Sequence, residues 1–136
     1  MTSYTKPLPD VTDPLTAPFW AGTRAGKLLV QRCERCGYLR WVPGPVCNQC
    51  LTPGGEWTEI PGQGTLVTYA EYHRAFDKSF ADDIPYVVGL VELTTGPRMY
   101  GQVTSAVRTE SLGQPVHAVY EAVTPEVTLV RWELDA

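Results

Sequence analysis

All four cysteines of the chain fall in one stretch, CERCGYLRWVPGPVCNQC, as two Cys-x-x-Cys pairs separated by ten residues: Cys33 and Cys36, then Cys47 and Cys50. Thiolates are ligands for soft and borderline cations, and a Cys-x-x-Cys turn lets two sulfurs reach one ion. Two such turns complete a tetrahedron, with zinc–sulfur bonds of about 2.3 Å. Gly37, directly after Cys36, relieves crowding where the chain rounds the ion. The spacer is shorter than in most two-pair sites, but it has room for two strands and a proline turn. An all-thiolate shell is closed, so the expected ion is structural, with no open position for water or substrate. Zinc is the expected metal. Iron is the alternative, and would make the chain an electron carrier, although Leu51 stands after the second pair where such carriers usually have glycine.

The other chemistry-bearing residues are sparse. His73, beside Arg74, is a candidate general base, but a strand-end surface histidine is the plainer reading. His117 lies in an apolar and aromatic stretch and carries no motif. Asp82 and Asp83 are paired carboxylates in what reads as a solvated loop. Gly62-Gln-Gly64 lacks the rest of a dinucleotide fingerprint. No nucleophile elbow, metalloprotease helix or phosphate loop occurs. With every cysteine committed to metal, the chain reads as a non-enzyme, with no catalytic residue assigned.

These residues need elements to position them. The 136 residues, 43% of them apolar, suit a compact globular fold. Residues 1–14 are rich in Pro, Thr and Asp and are expected to lie extended over a surface or to await a partner. Pro18 suits a first helical turn and Gly26 a C-terminal cap, so a short helix is expected over Pro18 to Ala25. Lys27 to Arg32 and Tyr38 to Val42 read as strands flanking the first cysteine pair, and Trp57 to Ile60 as a third. Pro61 to Gly64 is a break. After it, strands are expected near 65–74, 86–93, 98–105, 116–123 and 127–134, with Thr94 to Pro97 as a hairpin turn. Gly89, inside a nearly continuous apolar strand, suggests a bend or bulge. Five short strands fit a small OB-type barrel, and an open antiparallel sheet is the alternative. The fold class is therefore mainly β, divided into a helical or extended segment (1–26), a metal ribbon (27–61) and a barrel (62–136).

Charge narrows the function classes. The net charge is −4, and the densest cationic stretch is Arg32, Arg35 and Arg40 among the cysteines. A ribbon followed by a barrel suggests single-stranded nucleic acid as a ligand, but the acidic balance and the absence of lysine around Tyr69, Tyr72 and Tyr100 weigh against it. No apolar run approaches the roughly 18 residues of a membrane span, and the N-terminus has no signal-peptide core. A cytoplasmic, thiol-reducing setting is expected.

The order of short motifs adds to this. Phe19-Trp20-Ala-Gly22, Gly26-Lys-Leu28, Arg32-Cys33-x-x-Cys36-Gly37 and Cys47-x-x-Cys50 come first. Gly62-x-Gly64-Thr65, His73-Arg74-Ala75, Pro85-Tyr86-Val-Val88, Gly96-Pro-Arg98 and Leu112-Gly-Gln-Pro-Val116 follow. From about Asp13 to Trp132 this resembles the acyl-CoA-associated zinc-ribbon/OB-fold proteins, long catalogued as a domain of unknown function. The resemblance implies a rubredoxin-like zinc ribbon and an OB barrel. It also implies a non-catalytic subunit that stabilises a thiolase-fold enzyme, such as a thiolase or a retro-aldolase of steroid or aromatic degradation. A hot-dog-fold enoyl-CoA hydratase is the other implied partner, and acyl-CoA a shared ligand. Val42-Pro43-Gly44 stands where the family often has Pro-Pro-Arg. If that arginine meets CoA or the partner, Arg35 or Arg40 must replace it. The expected contact residues are Arg35, Tyr38, Arg40 and Trp41 on the ribbon, with Arg74 and Lys78 at a barrel loop as candidates for CoA phosphates.

Overall fold

The computed structural model describes residues 4–135. Helix α1 (Ala17–Arg24) starts with proline in its first turn and ends just before Gly26, whose φ of 72° is the left-handed conformation expected of a glycine cap. At eight residues it is too short to persist alone. It is held by Phe19, buried in the core, and by packing on β1 (Leu28–Arg32).

Strand β1 is the centre of a three-stranded antiparallel sheet. On one side it pairs with β2 (Leu39–Arg40), and on the other with β3 (Glu56–Ile60), from Leu28↔Ile60 to Arg32↔Glu56. The strand expected over Tyr38 to Val42 is thus only two residues long. Arg40, the last residue of the ladder, turns its side chain inward, and its guanidinium binds the carbonyls of Gly44 and Gly54, drawing the next loop across the strand end.

The remaining strands are β4 (Gln63–Tyr72), β5 (Tyr86–Leu93), β6 (Arg98–Val103), β7 (Pro115–Ala122) and β8 (Thr128–Leu134). They close a barrel in the order β4-β5-β6-β8-β7. Closure rests on the β4–β7 ladder, Gln63↔His117 to Thr65↔Pro115, which excludes an open sheet. The β6–β8 seam is parallel and joined at one register pair, Val103↔Trp132.

The irregularity expected at Gly89 lies instead on the facing strand, where the register shifts between Leu66 and Thr68. Gly89 answers a packing need: a Cβ there would come within 2.7 Å of Val103 and 2.8 Å of Leu66. The expected break at Pro61 to Gly64 is shorter than the sequence suggests, because β3 ends at Ile60 and β4 begins at Gln63. The two halves also share one core. Phe19, Leu28, Val30 and Ile60 pack in the same cluster as Leu66, Val91, Met99 and Trp132.

Gly64 shows how tight this joint is. It pairs with Leu93 on one side and Val116 on the other. A Cβ would fall inside contact distance of the Glu92 carbonyl oxygen and 2.9 Å from Val91. Backbone cannot rotate away as a side-chain tip can, so Gly64→Ala is expected to cost about 1–3 kcal/mol. Chemical denaturation checks this, and a midpoint equal to wild type would contradict the close approach.

Candidate metal centre and contact surfaces

The chain leaves β1 at Arg32, enters the first knuckle at Cys33, and returns to β2 through a turn closed by Gly37 N–H donating to the Cys33 carbonyl at 3.0 Å. The second knuckle repeats this: Leu51 N–H donates to the Cys47 carbonyl at 2.8 Å, and a Val46↔Pro53 bridge closes its base. The four sulfurs lie within 4.8 Å of one another. Cys33 to Cys50 is 3.6 Å and Cys36 to Cys47 is 3.7 Å. A zinc tetrathiolate with 2.3 Å bonds needs sulfur–sulfur separations of about 3.8 Å, so the cluster fits one structural zinc ion.

The local donors favour anionic sulfur. The Thr52 hydroxyl, 3.2 Å from Cys50 Sγ, and the Thr52 amide draw the Cys50 thiol down to about 6. The Cys36 amide lowers Cys33, donating to its sulfur at 3.5 Å. At Cys36 the Tyr38 amide also pulls down, but desolvation and the three neighbouring thiols outweigh it and hold the group at about 11. Four thiols this close cannot all ionise unaided, and a divalent cation removes the conflict.

The expected contact residues separate. Arg35 and Tyr38 are exposed on the first knuckle. Trp41 is half-buried and tilted against Phe19, with ring centroids 4.5 Å apart, and Trp20 meets Phe19 edge-on at 4.9 Å. These aromatics and Met99, Tyr100, Leu129 and Val130 line a cleft of about 290 Å³ between α1, the ribbon and the β6–β8 seam. Tyr100, 73% exposed, forms its outer lip. Trp57 packs against the core while remaining half-buried.

Arg40 corrects the expectation of an outward contact. It is 4% exposed, and Nε donates to Gln31 Oε1 at 2.7 Å while Nη2 donates to the Gly44 and Gly54 carbonyls at 2.9 and 2.6 Å. It cannot stand in for the arginine missing at Gly44, whose own N–H donates to Gln31 Oε1 at 2.9 Å. Val42, at the first position of that substitution, is exposed and Pro43 is buried.

Arg74 and Lys78 share the β4–β5 loop and both are exposed. Arg74 lies over the Phe76 ring at 5.2 Å, and Lys78 opens a short 3-10 turn capped by Asp77, which accepts from Ser79 N–H at 2.9 Å. Tyr72 and Tyr86 stack at 5.0 Å beneath this loop, a pairing the sequence signalled only through their positions at adjoining strand ends. The histidines are engaged with carboxylates: His73 with Glu71 at 2.8 Å, and His117 with Asp135 at 2.6 Å. Asp83 is paired with Lys6 at 2.6 Å rather than with Asp82. No helix among the described residues is long and apolar enough to cross a membrane.

Comparison with known proteins matches both halves. Residues 20–54 fit the family model described as the ChsH2 rubredoxin-like zinc ribbon domain, and residues 57–121 that of the ChsH2 C-terminal OB-fold domain. A probable enoyl-CoA hydratase alpha subunit of Thermomonospora curvata is 34% identical over 82% of this chain, and the 3-oxo-4,17-pregnadiene-20-carboxyl-CoA hydratase alpha subunit of Mycobacterium tuberculosis is 34% identical over 88%. The chain spans only 35% and 38% of the length of those two proteins. A DUF35 domain-containing scaffold protein of Methanocaldococcus jannaschii is 30% identical, over 71% of this chain and 69% of that one. Among solved structures, a chain of the Ltp2-ChsH2(DUF35) aldolase superposes with a TM-score of 0.79 at 29% identity, covering 93% of this chain and 98% of that one. A DUF35 protein of Sulfolobus solfataricus, at 15% identity and a TM-score of 0.62, shares the fold. Ribbon, barrel and their order along the chain all agree, and the protein belongs to the ChsH2/DUF35 family of zinc-ribbon–OB-fold proteins.

Proposed function

We propose that this chain is a non-catalytic accessory subunit of an enzyme acting on acyl-CoA thioesters. Its first candidate partner is a thiolase-fold enzyme, either a thiolase or a retro-aldolase of steroid or aromatic degradation. The observation that carries this is the likeness in fold, over nearly the whole of both chains, to a chain of the Ltp2-ChsH2(DUF35) aldolase. The surface agrees with it. Aromatic side chains and arginine concentrate at protein interfaces, and here Trp20, Trp41 and Tyr100 border one apolar cleft with Arg131 at its edge. In this reading Arg35, Tyr38 and Trp41 are partner contacts, Arg74 and Lys78 meet CoA phosphates, and the zinc keeps the ribbon rigid. The chemistry resides in the partner. A hot-dog-fold hydratase is the second reading, favoured by the names of the two hydratase alpha subunits. Nucleic acid is disfavoured by the carboxylates of Glu71 and Asp83 beside the tyrosine-bearing face.

Co-expression with a thiolase-fold aldolase subunit, and separately with an enoyl-CoA hydratase, tests the proposal. A stable hetero-oligomer in light scattering is expected with one of them, with turnover only in the complex. Tyr100→Ala and Trp20→Ala are expected to weaken that complex by about 1–3 kcal/mol, with Tyr100→Ala leaving the melting temperature unchanged because its ring is mostly in water. A chain that turns over acyl-CoA alone, or stays monomeric beside both enzymes, would sink the idea.

A further inference from the structure

Among the described residues, Arg40 is the one buried charged side chain. Its three hydrogen bonds go to neutral acceptors, the Gln31 amide oxygen and the carbonyls of Gly44 and Gly54. Nη1 is buried with no partner. The side chains that pair with carboxylates are Lys6, His73, Arg98, His117 and Arg131, and Arg40 is not among them. The carboxylates of the ribbon, Glu34, Glu56 and Glu59, are all exposed, and none forms an ion pair with Arg40. A buried guanidinium cannot shed its proton, so it needs a counter-charge.

The bonds of Arg40 locate that charge. Gly44 lies in the loop entering Cys47, and Gly54 in the loop leaving Cys50. A Cβ on Gly55 would lie 3.0 Å from Arg40 Nη2 and 3.4 Å from the carbonyl of Arg32, the residue before Cys33. The guanidinium is therefore inserted at the root of both knuckles. Four thiolates around a divalent cation keep a net double negative charge. Arg32 and Arg35 are nearby in sequence but exposed, where water screens them.

We infer that Arg40 is the buried counter-charge of the metal tetrathiolate, so that the ribbon closes with an arginine inside only when the ion is bound. The residue is then a positioning and charge-balancing group that makes the knuckles metal-conditional, whichever enzyme the chain docks on. The rival role is a plain hydrogen-bonding brace, which would serve the metal-free and metal-bound ribbons alike.

The test is chelator competition for zinc on the full chain, with Arg40→Met and Arg40→Lys. Arg40→Met is expected to weaken zinc by roughly 10- to 100-fold. Its metal-free ribbon should exchange amide hydrogens no faster than metal-free wild type. Arg40→Lys keeps the charge but not the planar fork, and should bind zinc within a few-fold of wild type. Cobalt substitution supplies a second readout. A nearby cation lowers the sulfur donor level, so the sulfur-to-cobalt band should move to longer wavelength in Arg40→Met and hold in Arg40→Lys. Wild-type zinc affinity in Arg40→Met, or equal losses in both variants, overturns the assignment. If Arg40→Met does not fold with zinc, Arg40→Lys decides: near-wild-type affinity supports the counter-charge and a hundredfold loss refutes it.

Discussion

Stripping the metal, by chelation or by Cys47→Ser, is expected to open residues 33–54 while residues 63–134 stay folded. Structural zinc binding contributes about 10–16 kcal/mol, comparable with the whole stability of an ordinary domain. Nothing else in that stretch could replace it. Its regular structure is the two residues of β2 and one isolated bridge, and its buried apolar side chains are Cys33, Cys47 and Pro43. The sheet below it is different. Strands β1 and β3 pair at five positions, and Leu28, Val30 and Ile60 belong to the core that also fills the barrel. Hydrogen exchange with and without chelator should therefore show a boundary inside the ribbon. Amides of 33–54 lose protection by a hundredfold or more, those of β1 and β3 lose less, and those of the barrel hold within a few-fold. Equal loss from Leu28 to Leu134 would mean that the shared core makes the chain one cooperative unit, and would overturn the boundary.

The parts of this architecture that were legible in the sequence depend on near neighbours. Two Cys-x-x-Cys turns declare a tetrathiolate because each pair is closed within four residues. The span of β5, Tyr86–Leu93, follows from a nearly continuous apolar run ending at the Thr94 to Pro97 turn. The parts that were not legible depend on distant pairing. The ladder from Leu28 to Ile60 joins strands separated by the whole metal loop, so β3 reads as an isolated fragment until the fold is seen. Pro61 and Gly62 read as a break between parts, and nothing local reports that Phe19 and Ile60 share a core with Trp132. Arg40 is the sharpest case. An arginine between Tyr38 and Trp41 reads as a contact residue, and its burial is signalled only by Gly55, where a Cβ would crowd the guanidinium, while Gly44 and Gly54 supply the carbonyls that bind it. Lys6 is similar: its tie to Asp83 orders part of a segment whose composition reads as unstructured, although the first three residues of that segment lie outside those described.

Trp132→Ala is expected to be the most damaging change in the barrel. The ring is fully buried, and its strand joins the seam to β6 at Val103 and the β7 ladder at Ala118. It lies directly against Gly101: a Cβ there would be 2.6 Å from Cδ1 and 2.7 Å from Nε1. Removing such a ring costs about 3–5 kcal/mol, through lost transfer energy and the cavity left behind. In a chain of this length that corresponds to a fall in melting temperature of roughly 10–20 °C. Trp132→Phe should cost less than half as much. It leaves a smaller void, and it also removes an indole N–H that is buried with no acceptor, a group whose desolvation costs about 1–3 kcal/mol. Denaturant midpoints of the two variants check this, and equal losses would mean that the indole N–H finds a partner in solution. The same ring bears on assembly. Its neighbours Val130 and Arg131 form one wall of the aromatic cleft, and Gly101 adjoins Tyr100 on the other. If the cleft is the docking surface, Trp132→Ala should weaken the complex even at temperatures where the free chain remains folded. A variant that melts far below wild type yet binds its partner with unchanged affinity would place the docking surface elsewhere, on the knuckle face that carries Arg35 and Tyr38.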